Sequence, residues 1–269
     1  MIQKTFTPPP PAPTVSTKAR VAFGKVATST GHRVVLYGPG GIGKTTLAAS
    51  APGSVAFIDL DESLPRLAGN LDMEKVSIVS GVDTWAELRL ALQSDGWDDI
   101  KTIVIDTGTR AEEMAIAHTL GTVKTEKGTT PKSVEEYGYG KGYQHVYETF
   151  LTLLPDLDRH CRAGRNVMLI CHDCTATVPN PAGEDWLRYE PRLQSPSSGK
   201  ASIRLRVREW ADHVLFMGYD VAVNKDGKGC GSGTRTIYTA ELPHCMAKSR
   251  STIAQIPVEG NDIWAQIIK

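Results

Sequence analysis

The residues Gly38-Pro39-Gly40-Gly41-Ile42-Gly43-Lys44-Thr45 match the spacing G-x-x-x-x-G-K-[ST] at every fixed position. Glycines at those places let backbone N–H groups turn inward. The helix expected behind them adds its positive dipole end, so the stretch suits phosphate oxygens. Lys44 reaches the outer phosphates of a nucleotide such as ATP, and Thr45 offers its hydroxyl to Mg2+. With Thr46, the next residue, these form the candidate nucleotide-binding set.

Further polar residues stand where apolar runs end. Lys101-Thr102-Ile103-Val104-Ile105-Asp106 places a carboxylate at a strand exit, where it would orient Mg2+, with Thr107 beside it suited to capping a helix. Val55 to Leu60 runs into Asp61 and Glu62, candidates to position and polarise an attacking water, although acids also suit the first turn of a helix. Val167-Met168-Leu169-Ile170-Cys171 ends in His172, whose imidazole could sense a γ-phosphate. Cys171 and Cys174 have C-x-x-C spacing, but no second pair completes a zinc site.

The elements that must hold these side chains read as strands over 33–37, 54–59, 76–79, 101–106 and 167–171. Between them fall helices over 44–51, over 84–93 with Asp83 or Thr84 as cap, over 107–120, and over 143–163 with a kink at Pro155. Alternation of this kind predicts an α/β domain with a mainly parallel sheet and helices on both faces. A β-hairpin follows, from Val214 to Val223 and from Thr234 to Thr239. Residues 121–142, with Tyr137 and Tyr139, and Tyr143 just beyond, read as a long loop, and residues from Pro196 to Gly199 as flexible. Ile203, Val207, Trp210 and Ala211 then mark a helix. On it Arg204, Arg206 and Arg208, with Lys200 before them, form a basic cluster suited to a nucleic-acid backbone or to a solvated face.

Composition narrows the classes. The 30 Lys+Arg balance 30 Asp+Glu, so no general attraction to nucleic acid exists and any such contact must be local. No apolar run approaches the ~20 residues of a membrane span, and the five scattered cysteines suggest no disulfide framework. These features, and an N-terminus without an apolar signal segment, place the expected location in a cytoplasm. Pro8 to Pro11 and Pro13 make residues 1–30 a flexible Pro-rich arm, with 31–269 as the folded domain.

In this order the elements resemble the RecA-like core ATPases over residues 31 to about 256, and more closely the phage-encoded ATP-binding proteins of single-strand annealing and recombination. The resemblance implies a RecA-like phosphate-loop core that binds and hydrolyses ATP with Mg2+ and acts on single-stranded DNA, in a host cytoplasm if phage-encoded. It places the catalytic acid at Asp61, where the family has a Glu, with Glu62 as neighbour. Tyr137-Gly138-Tyr139-Gly140-Lys141-Gly142-Tyr143 looks like the Gly/Tyr loop of the phage branch, and 121–142 and 175–200 take the places of its two DNA-facing loops. Lys248 and Arg250 look like the basic pair that reaches ATP on the next subunit of a ring or filament, so a homo-oligomer is implied. Within the core, the only arginine expected near the loop or Asp106 is Arg110. The alternatives are a nucleotide-dependent regulatory switch and a small-molecule kinase with 121–142 as its lid.

Overall fold

Short runs of Val, Ile and Leu become central strands because branched apolar side chains suit a sheet covered on both faces. The computed structural model describes residues 21, 23–25, 30–197, 200–223, 229–250, 254–260 and 262–268, so most of the expected N-terminal arm lies outside the described residues. In chain order the elements are β1 (Arg33–Tyr37), α1 (Lys44–Ala49), β2 (Val55–Asp59), α2 (Leu64–Leu67), β3 (Val76–Ile78), α3 (Trp85–Gln93), β4 (Thr102–Asp106) and α4 (Gly108–Thr122). There follow α5 (Lys141–Leu151), α6 (Leu153–Arg162), β5 (Asn166–Cys171), β6 (Asp173–Val178), β7 (Trp186–Pro191), α7 (Ile203–Trp210), β8 (His213–Val223), β9 (Gly229–Tyr238), β10 (Gln255–Pro257) and α8 (Ile263–Ile267).

Eight strands form one sheet in the order β10-β9-β8-β1-β5-β4-β2-β3. The six from β8 to β3 run parallel, and β9 and β10 add the antiparallel C-terminal edge. Alternation along β1 divides the core: Val34 and Leu36 pack with α1 and α8, whereas Val35 and Tyr37 pack with the layer of α3 to α7. This is the mixed α/β architecture of a phosphate-loop nucleotide-binding core.

Parallel pairing places the exits of β1, β5, β4 and β2 side by side on one edge. Tyr37 lies opposite Cys171, Ile170 opposite Asp106, and Asp106 opposite Asp59. Thr84 begins α3 with a reciprocal capping box to Glu87, a motif worth about 1 kcal/mol.

Three expectations need correction. The helix expected over 143–163 breaks at Thr152, not at Pro155, which sits in the first turn of α6 where its missing N–H interrupts no intrahelical bond. Residues 121–142 are not a structureless loop: a 3₁₀ turn spans Val134–Tyr137, and the Tyr137 hydroxyl donates to the carbonyls of Thr119 and Val123. Much of 175–200 is an ordered antiparallel ribbon, β6 with β7, paired from Asp173–Pro191 to Val178–Trp186. The ribbon shows no apolar alternation because its buried side chains include Arg188 and Glu190.

Candidate active site

The phosphate loop is shaped by backbone that only glycine tolerates. A Cβ on Gly38 would lie 2.2 Å from the Met217 carbonyl oxygen, and Gly43, at φ 105°, would meet the Arg235 guanidinium at 2.7 Å. Lys44 is buried, and its Nζ donates to the carbonyls of Gly38 and Pro39, each at 2.8 Å. Burial lowers its pKa, against the pull of Asp106 and Asp173. Gly40, Gly41, Gly43, Thr45 and Thr46 line the same cavity of about 350 Å3, whereas Ile42 is buried beneath the loop.

The acids arrive from neighbouring strands. Thr45 Oγ1 donates to Asp106 Oδ2 at 2.6 Å, which joins the start of α1 to the end of β4. Thr107 caps α4 by accepting from the Arg110 N–H, so capping does not engage the Asp106 carboxylate. Burial raises the Asp106 carboxyl to about 6, with Asp59 and Asp61 adding to the rise and Thr45 and Lys44 opposing it. A hydroxyl and a carboxylate in contact are hard oxygen donors of the kind Mg2+ takes, and they are the residues that would hold it; bound there, the ion would neutralise phosphate charge.

Asp61 and His172 line the same cavity as the loop. The two approach at 3.6 Å between Asp61 Oδ2 and His172 Nε2. Burial lowers the His172 pKa, with Lys44 and Arg192 acting in the same direction and Asp61 opposing. Glu62 is exposed, takes a left-handed φ of 51° and is not among the lining residues. Asp59 accepts from the N–H groups of Ser63 and Leu64, tying down the start of α2.

Residues 30–251 match the model of the AAA domain family. The chain belongs to the AAA domain family. No curated protein matches it at a significant level. Membership makes this AAA domain a phosphate-loop ATPase by family.

Two arginines of the AAA domain that sequence reasoning missed border the phosphate loop and its cavity. Arg66 on α2 lines the cavity with Lys44, Asp61 and Asp106, although only Arg110 was expected nearby. Arg110 instead pairs with Glu113 one turn along α4. Arg235 on β9 donates to the Ile42 carbonyl at 2.9 Å and is paired with Glu259 at 2.8 Å. It lines a second cavity of about 400 Å3, beside Thr46, Ser50 and Asp262 on the other flank of α1. Arg66 follows Asp61 closely enough to have been a candidate, but Arg235 is 193 residues from Ile42 and carries no local signal.

The expected basic cluster does not present one cationic face. Arg204 is part-buried and paired with the buried Glu190, Arg208 is paired with Glu241, and Arg206 with Glu209. Arg188 joins the same network through Glu190 and Glu241, so these charges fasten the β6–β7 ribbon to α7. Lys248, expected to reach a second subunit, is engaged within its own chain. Its Nζ donates to the carbonyls of Arg208, Glu209 and Ala211, capping the last turn of α7. Arg250 pairs with Asp212 while its side chain stays 73% exposed. Among the described residues no helix is long and apolar enough to cross a membrane.

Proposed function

We propose that this AAA domain binds and hydrolyses ATP with Mg2+ and acts on single-stranded DNA, in the manner of the phage recombination and annealing proteins that its sequence resembles. The observation that carries the ATPase reading is the convergence on one cavity of Lys44, the Thr45–Asp106 pair, Asp61 and His172. In this reading the Lys44 ammonium meets the outer phosphates and Thr45 and Asp106 hold the metal. Asp61 accepts a proton from, and orients, the attacking water, with His172 beside it as the group that senses the γ-phosphate. The cation of Arg66 faces charge developing on that phosphate within the same chain.

The DNA reading rests on the sequence resemblance and on exposed rings. Tyr139 is fully exposed, and Trp186 of the ribbon is 39% exposed, which suits stacking against unpaired bases. Homo-oligomerisation belongs to the same proposal, with Arg250 as the exposed cation available to a second copy. Residues 121–142 contain no arginine, which weighs against a kinase lid.

ATP turnover measured with and without single-stranded oligonucleotide tests the reading, with Lys44→Ala as the blank. Stimulation is expected. Turnover that ignores DNA, together with no oligonucleotide binding, would leave an ATPase and favour the regulatory-switch alternative.

A further inference from the structure

The flank of the phosphate loop away from Asp106 carries an aromatic cleft that the ATPase reading does not use. Its volume is about 420 Å3, and its lining includes Pro39, Tyr189, Phe216, Tyr219, Tyr238 and His244. Phe216 is buried and contacts three rings: Tyr189 stacked at 5.1 Å and 15°, Tyr238 at 5.8 Å and 30°, and Tyr37 at 5.1 Å. His244 meets Tyr238 edge-on at 5.1 Å. Tyr189 is 40% exposed and Tyr219, on the cleft wall, 48%, so the cleft opens to solvent at these two rings while Phe216 beneath belongs to the core.

We propose that this cleft receives an unpaired base of single-stranded DNA, which deepens the DNA reading given above and rests on it. Three properties favour a base over another apolar occupant. The rings are layered, so a further flat ring adds to the tier by offset stacking. Phenol and imidazole tips supply hydrogen-bonding groups that a base edge satisfies and an aliphatic side chain leaves unpaired. The volume falls within the range of sites that enclose small ring systems.

The cleft is joined to the nucleotide site by a short covalent and hydrogen-bonded path. Pro39 forms part of its wall, and the Pro39 carbonyl accepts from Lys44 Nζ at 2.8 Å. Behind the wall, the hydroxyl of Tyr37, the last residue of β1, donates to the carbonyls of Tyr189 and Met246. A base seated against Pro39 and Tyr189 therefore bears on both ends of the turn that leads from β1 into the loop. Stimulation of ATP turnover by DNA has a physical route through this contact.

The test is oligonucleotide binding by anisotropy with full-length chains carrying Tyr219→Ala, Tyr219→Phe or no change, and thermal melts to establish that each is folded. Tyr219→Ala is expected to weaken binding of a labelled oligothymidine by about 5- to 150-fold, the loss of one stacked ring, and Tyr219→Phe to restore most of it. Photocrosslinking with 4-thiothymidine in the same oligonucleotide is expected to map to Tyr189, Tyr219 or Tyr238. Wild-type affinity in Tyr219→Ala, with crosslinks confined to Tyr139 or Trp186, would overturn the cleft assignment while leaving DNA binding intact. An oligonucleotide that does not bind the wild-type chain would instead remove the DNA reading itself.

Discussion

The two flanks of the phosphate loop are built in different ways. On the acid flank, Asp61, Asp106 and His172 leave the ends of parallel strands that neighbour one another, and backbone register alone brings them to one edge. On the hairpin flank, Arg235, Glu259 and the aromatic cleft come from antiparallel strands and loops late in the chain, and side-chain contacts bring them to the loop. The first flank carries groups suited to chemistry on phosphate. The second grips the loop from outside, through the Ile42 carbonyl and the wall at Pro39, and so is suited to setting how well the loop is formed.

This division predicts different kinetic signatures, and the largest effect belongs to the loop both flanks share. Lys44→Ala is expected to lower ATP turnover by at least about 10²- to 10³-fold, because a cation aimed at developing phosphate charge is lost while the fold is kept. Calorimetric titration and single-turnover hydrolysis check it. Normal turnover in this variant would remove the site altogether.

Next in size, Asp61→Asn should reduce kcat by about 10²-fold or more, the usual contribution of a positioned general base. Glu62→Gln should change it less than about threefold, since Glu62 lies outside the cavity lining. Steady-state rates for the pair sharpen the acid flank to one residue. The reverse ranking would mean that the turn after β2 rearranges when nucleotide binds.

On the hairpin flank the expected signature is a change in KM. Arg235→Ala removes a charged hydrogen bond to the Ile42 carbonyl, an interaction worth about 1.5–3 kcal/mol. The apparent KM for ATP should rise about tenfold or more, with kcat altered much less. A fall in kcat at constant KM would erase the distinction between the two flanks.

The smallest effect concerns stability. The folded protein holds the Asp106 proton up to about pH 6, whereas an unfolded aspartate releases it near pH 3.9. Between those values the folded state binds more protons, so this group's contribution to stability falls as pH rises through the window. Asp106→Asn should therefore raise Tm by a few degrees at pH 7 and leave it little changed at pH 4, while Mg2+-dependent turnover is lost. Melts at both pH values check the sign, and a variant less stable at pH 7 would contradict it.

Much of the acid flank was legible because each side chain there follows a continuous apolar run. A strand exit in a parallel sheet has one possible edge, so Asp106, Asp61 and His172 could be assigned to the same side as Lys44 before any contact was known. The ribbon of β6 and β7 was not legible, because its inward side chains include the charged Arg188 and Glu190 and so break the apolar alternation that marks a half-buried strand. Burial was possible only because Arg204 and Glu241 complete the network. The same pairing explains why the role of the basic cluster on α7 stayed open in the sequence: helical spacing fixes which arginines share a face, but not which acids that face meets.

By itself, then, the sequence determined the phosphate loop, the parallel core and the edge on which the site forms, since local spacing and strand polarity decide these. Tertiary structure alone decided the destination of each long cationic side chain. Arg235 went to the loop, Arg66 to the cavity, Lys248 to the end of α7 and Arg204 to a buried carboxylate. The physical reason is that a guanidinium or ammonium on a flexible stem binds whichever oxygen the packed fold brings within about 3 Å, and those oxygens come from segments far away along the chain.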